Sequence, residues 1–108
     1  MKTFIMKWLG FSAKHEIENA FLRDPQIIDV RTNTEYSEGH IPGSLNIPLH
    51  RLEENLHRLN KNRPVITCCA SGMRSASAQK FLESSGYNEV YNGGSWHKLQ
   101  RRINAMQN

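Results

Sequence analysis

Short apolar runs alternate along this chain with stretches whose apolar residues recur every three or four positions, as buried strands interleaved with amphipathic helices do. Gln26-Ile27-Ile28-Asp29-Val30 reads as a buried strand, and so does Val65-Ile66-Thr67-Cys68. Residues 44–47, fenced by Pro42-Gly43 and Pro48, and residues 89–91 are shorter strand candidates. The helical patterns lie between these runs. Ala13, Ile17, Ala20 and Phe21 share one face of a helix that Ser12 can cap and Asp24-Pro25 stops. Residues 33–38 make a brief helical turn closed by Gly39. Leu49, Leu52, Leu56 and Leu59 recur at helical spacing, with Glu53, Glu54, His57 and Arg58 between them. Ala78, Phe81, Leu82 and Ser85 mark a further helix that Gly86 can terminate. Gly93-Gly94 reads as a turn before a last amphipathic helix carrying Trp96, Leu99 and Ile103. The alternation predicts an α/β fold, with a mostly parallel central sheet and helices on both faces.

Composition narrows this picture. A length of 108 residues with 38% hydrophobic content predicts one domain, spanning 1–108 with a core over about 12–103. The net charge of +4 suits small anions or acidic partners. Nucleic acid is not expected, because the basic residues are scattered apart from Lys98 and Arg101-Arg102, which suit a solvated helix face. The apolar segment 1–11 is interrupted by Lys7 and too short to span a membrane, so it reads as a strand or extended segment and no membrane partner is expected. The two cysteines are adjacent. Their α-carbons lie about 3.8 Å apart, below the usual disulfide span of roughly 4.4–6.8 Å. Two free thiols fit a reducing compartment, the cytoplasm by default.

The candidate chemistry sits where the strand at residue 65 ends. Cys68-Cys69 is followed by the small or uncharged residues Ala70, Ser71, Gly72 and Met73, and the chain then enters a helix at Ser75. That order can turn backbone N–H groups and a helix N-terminus toward one sulfur and favour its thiolate. Gly72 permits backbone angles that other residues resist. Arg74 supplies a fixed charge or an ion pair that holds the loop, and Ser75 can cap the helix or donate to the sulfur. Of the two cysteines, Cys69 is the better nucleophile, since Gly72 lies three positions after it. Cys68, pointing to the other face of the strand, belongs to the core. The competing spacing counts five residues between Cys68 and Arg74, which is that of cysteine phosphatases, but Ser71 stands where their glycine falls and Thr67 where their histidine falls.

These residues, with two further segments, resemble the single-domain rhodanese sulfurtransferases. The stretch Cys69-Ala-Ser-Gly-Met-Arg-Ser75 is similar to that family's active-site loop. Ile28-Asp29-Val30-Arg31, followed by Glu35-Tyr36 and Gly39-His40-Ile41-Pro42-Gly43-Ser44, is similar to its second signature, and Val90-Tyr91-Asn92-Gly93-Gly94 with Trp96 to its closing strand. The resemblance implies a rhodanese-like three-layer fold and a persulfide carrier. Cys69 would take the outer sulfur of a small anionic donor such as thiosulfate and pass it to a thiol or protein-cysteine acceptor. Residues 70–75 would bind the substrate, and no metal or organic cofactor is implied. The six residues from Cys69 to Arg74 make a loop too tight for phosphate on this reading. The chain departs from the family in carrying no basic loop residue before Arg74, in Ser44 where alanine is common, and in Cys68 beside the nucleophile.

Asp29 and Arg31 flank Val30 and share one side of the strand, either as a structural ion pair or as support for the rim of the site. His40 is read as structural, and Trp96 as core packing. His15, His50, His57 and His97 have no metal-ligand spacing with either cysteine and are placed on the surface. The functional reading requires that Cys69 ionise more readily than free cysteine and that solvent reach it.

Overall fold

In the computed structural model, which describes residues 12–107, four parallel strands form one sheet. They are β1 (Gln26–Asp29), β2 (Leu45–Asn46), β3 (Val65–Cys69) and β4 (Val90–Ser95), in the order β2-β1-β3-β4. The helices are α1 (Ser12–Ala20), α2 (Asn33–Ser37), α3 (Met73–Ser84) and α4 (Trp96–Gln107). The strand expected over 1–11 and the side chains of Ser12 and Ala13 lie outside the described residues.

β3 is buried at all five positions, as a central strand covered on both faces must be. Its side chains alternate between two cores. Val65 and Cys69 join Ile28, Val30, Ile47, Leu52, Ala78 and Leu82 on one face, beneath α3. Ile66 and Cys68 join Ile17, Ala20, Ile41, Leu99 and Ile103 on the other, beneath α1 and α4. The sheet therefore has helices on both faces, which is the expected three-layer arrangement.

Two elements differ from the sequence reading. The leucine-spaced segment is not an α-helix but two 3-10 segments, Leu49–Arg51 and Glu53–Arg58. Leu49 and Leu52, and Leu56 and Leu59, are each three positions apart, the repeat of a 3-10 turn, and the Leu49 N–H is already held by the Val30 carbonyl at 3.1 Å. Gly93 and Gly94 are not a turn either, but lie inside β4. A Cβ at Gly93 would stand 2.8 Å from the Thr67 carbonyl oxygen and 2.9 Å from Leu99 Cδ2, so only glycine lets β4 close on β3. The pairing moves from Thr67 opposite Asn92 to Cys69 opposite Ser95, which places one extra residue in β4 as a bulge, with Gly94 at φ +80°.

Candidate active site

Cys69 is the last residue of β3, and the chain turns from it into α3 through a left-handed Gly72 (φ +105°). The helix therefore begins at Met73, two residues before the start expected from the sequence, because the glycine completes the turn there. Inside this loop the Gly72 N–H donates to Cys69 Sγ at 3.0 Å and the Ser75 N–H at 3.4 Å. These are the free donors of the first turn of a helix, so they carry its positive end. Burial pushes the Cys69 thiol up, but hydrogen bonding within the loop outweighs it, with the N–H groups of Ser75 and Gly72 donating to the sulfur. The net result lies below the ordinary range. Cys68 behaves oppositely: burial, then the charge of Asp29, pushes it up to about 12.

Solvent access differs from expectation. Cys69 is 0% exposed, although Ala70, Ser71 and Met73 around it are exposed, Met73 at 78%. The N–H groups that approach the sulfur close the loop over it. Any reagent reaches Cys69 only by displacing this rim.

Three sets of contacts hold the loop. Arg74 forms a bidentate pair with Glu35 (2.7 and 3.0 Å), which in turn bonds the Thr32 N–H and closes a capping box at the start of α2. Paired with Arg74, and then bonded by Thr32, the Glu35 carboxyl is held down at about 2. Thr67 Oγ1 donates to the Ser75 carbonyl at 2.9 Å and ties α3 back to β3. The Asn92 Nδ2 donates to the Gly72 carbonyl at 3.2 Å, while its Oδ1 accepts from Ser75 Oγ at 2.6 Å and from the Gly94 N–H at 2.9 Å. Ser75 thus caps nothing: the N-cap residue is Gly72, with no side-chain bond. The roles of Glu35 and Asn92 were missed by sequence reasoning. The Thr32-Asn-Thr-Glu35 capping pattern was a visible signal for the first; nothing local marked the second.

Asp29 and Arg31 do not line the loop. They form a buried pair (2.7, 2.9 and 3.1 Å) in which Arg31 also donates to the Gly39 carbonyl at 2.7 Å and lies over the Trp96 ring at 4.9 Å. His40 is exposed and stacked on Tyr36 at 3.7 Å, and His15, His50, His57 and His97 are exposed. Trp96 is half-buried against the second core.

Beside the loop is an open depression of about 300 Å³ lined by Val30, Thr32, Pro48, Leu49, His50 and Arg74. The chain leaves β1 for β2 on one side and leaves β3 for β4 on the other, so this depression lies where the connections part at the carboxyl ends of the strands. Parallel sheets bind their ligands there.

Comparison with known proteins agrees with this architecture. The sequence model of the rhodanese-like domain matches residues 13–101. A Bacillus subtilis protein named YqhL is 37% identical over 86 residues, covering 79% of this chain and 68% of that protein. The thiosulfate sulfurtransferase GlpE of Shewanella oneidensis is 31% identical over 77 residues, covering 68% and 76%. The crystal structure of a rhodanese-like domain protein from Staphylococcus aureus superposes with a TM-score of 0.67 at 37% identity, covering 78% of this chain and 84% of that one. In some curated relatives the chain spans as little as 36% of the length. Family match, sheet order and cysteine loop agree: this chain belongs to the rhodanese-like domain family.

Proposed function

We propose that the protein is a sulfurtransferase that carries a sulfane sulfur on Cys69. The observation that carries this reading is the set of main-chain N–H groups on one sulfur at the head of α3. Such a site holds an anionic thiolate, and the same donors stabilise the negative persulfide after transfer. The Cys69 thiolate attacks the outer sulfur of thiosulfate. One S–S bond forms as the donor's S–S bond breaks, the electron pair leaves with sulfite, and Cys69 retains a persulfide. An acceptor thiolate, free or on a protein, then attacks the outer persulfide sulfur and regenerates the Cys69 thiolate. Donor and acceptor approach through the depression beside Arg74, and loading follows displacement of the rim over the sulfur. Support at the family level comes from the relative named thiosulfate sulfurtransferase.

The phosphatase spacing has no nucleophile to serve it. Cys68 lies in the apolar core on the opposite face, with its thiol pushed up to about 12. Thiosulfate is expected to be a slow donor, because the cation nearest the loop, Arg74, is already neutralised by Glu35. Mass spectrometry of intact protein tests the reading after incubation with thiosulfate or an alkyl persulfide. Gain of one sulfur atom, kept in Cys68→Ser and lost in Cys69→Ser, is expected. No gain with either donor overturns the assignment and leaves a binding domain as the reading.

A further inference from the structure

We infer that Asn92 is a positioning residue of the cysteine loop: it pins the Gly72 carbonyl and takes the Ser75 hydroxyl proton, leaving main-chain N–H groups as the donors to Cys69. The inference rests on the proposed use of Cys69 as a thiolate. The orientation of the Asn92 amide follows from its two backbone partners. The Gly94 N–H can only donate and the Gly72 carbonyl can only accept, so Oδ1 faces the former and Nδ2 the latter. The atom facing Ser75 Oγ at 2.6 Å is therefore an acceptor, and the hydroxyl must donate to it. Ser75 has one hydroxyl proton. Its remaining capacity toward Cys69, 3.4 Å away, is that of an acceptor for the thiol S–H.

Ionisation of Cys69 strengthens the pull of the sulfur on that proton. Turning the hydroxyl would, however, leave two oxygen acceptors facing each other at 2.6 Å. Ser75 cannot retreat, being fully buried with its carbonyl held by Thr67 at 2.9 Å. The hydroxyl thus stabilises the thiol form, whereas the Gly72 and Ser75 N–H groups stabilise the thiolate. By holding the Gly72 carbonyl at 3.2 Å, Asn92 also keeps the adjoining N–H in register with the sulfur. A residue of β4 thereby sets the acidity of a cysteine at the end of β3 without touching it.

Titration of the thiolate by its ultraviolet absorbance tests this on the full chain, without any reagent entering the closed loop. It needs no sulfur donor, so it remains readable even if sulfur loading fails. Ser75→Ala is expected to leave the Cys69 midpoint unchanged or lower it; a raised midpoint overturns the proton assignment. Asn92→Ala in the Ser75→Ala background is expected to raise the midpoint by about one pH unit, a tenfold fall in the ratio of thiolate to thiol at a given pH. An unchanged midpoint overturns the pinning. With Ser75 present the rise is expected to be smaller, because the released hydroxyl then donates to sulfur. Equal rises in both backgrounds overturn the coupling between Asn92 and Ser75.

Discussion

Two adjacent thiols differ in chemistry because a strand sends consecutive side chains to opposite faces. Cys68 meets aliphatic groups and a buried carboxylate, which oppose ionisation; Cys69 meets N–H groups, which favour it. Alkylation of the folded protein is expected to occur at Cys69, with a pH midpoint below the roughly 8.5 of free cysteine. Cys68→Ala should not move that midpoint; peptide mapping after labelling checks both statements. Asp29 and Arg31 belong to the same scale but to stability rather than chemistry. Both are almost fully buried, and their charges are matched by each other and by the Gly39 carbonyl. Arg31→Leu strands a buried carboxylate, so a loss of about 3–5 kcal/mol in urea unfolding is expected.

At the level of elements, the loop is a junction of three segments. β3 delivers the sulfur, α2 holds Arg74 through Glu35, and β4 holds the loop backbone through Asn92. Glu35→Gln keeps the capping bond to Thr32 possible but removes the charge paired with Arg74. Because that pair is about a third exposed on each side, the stability loss should stay within about 1 kcal/mol. Its larger expected effect is on donor choice. With Arg74 released, loading from thiosulfate should rise relative to loading from a neutral alkyl persulfide, measured by intact mass; a fixed ratio removes the charge argument. Gly93→Ala pushes β4 off the Thr67 carbonyl and Leu99. A destabilisation of about 1–3 kcal/mol is expected in denaturant unfolding, together with a raised Cys69 midpoint, since Asn92 moves with the strand.

Across the whole molecule, Arg–Glu pairs tie segments far apart in sequence: Arg102 to Glu18, Arg23 to Glu89, and Arg74 to Glu35. In each, hydrogen bonding to the arginine lowers the carboxyl below its ordinary value. A carboxyl lowered in the folded state contributes stability above its unfolded value of roughly 4.3. That contribution is lost as pH falls through the folded value, about 2 for Glu35. Melting temperature followed by circular dichroism is therefore expected to decline between pH 5 and pH 2, and less steeply in high salt, which screens these partly exposed pairs. The sequence by itself determined the layer order, the buried character of β3, the turn at Gly72 and the placement of Cys68 and Cys69 on opposite faces of the sheet. Each follows from the spacing of nearby side chains or from what glycine alone permits. Only the tertiary structure decided that Glu35 holds Arg74, that Asn92 reaches both Gly72 and Ser75, that Gly93 belongs inside a strand, and that the loop covers its sulfur. Those contacts join residues 17 to 39 positions apart, or depend on how closely two strands approach. Local periodicity carries no information about either.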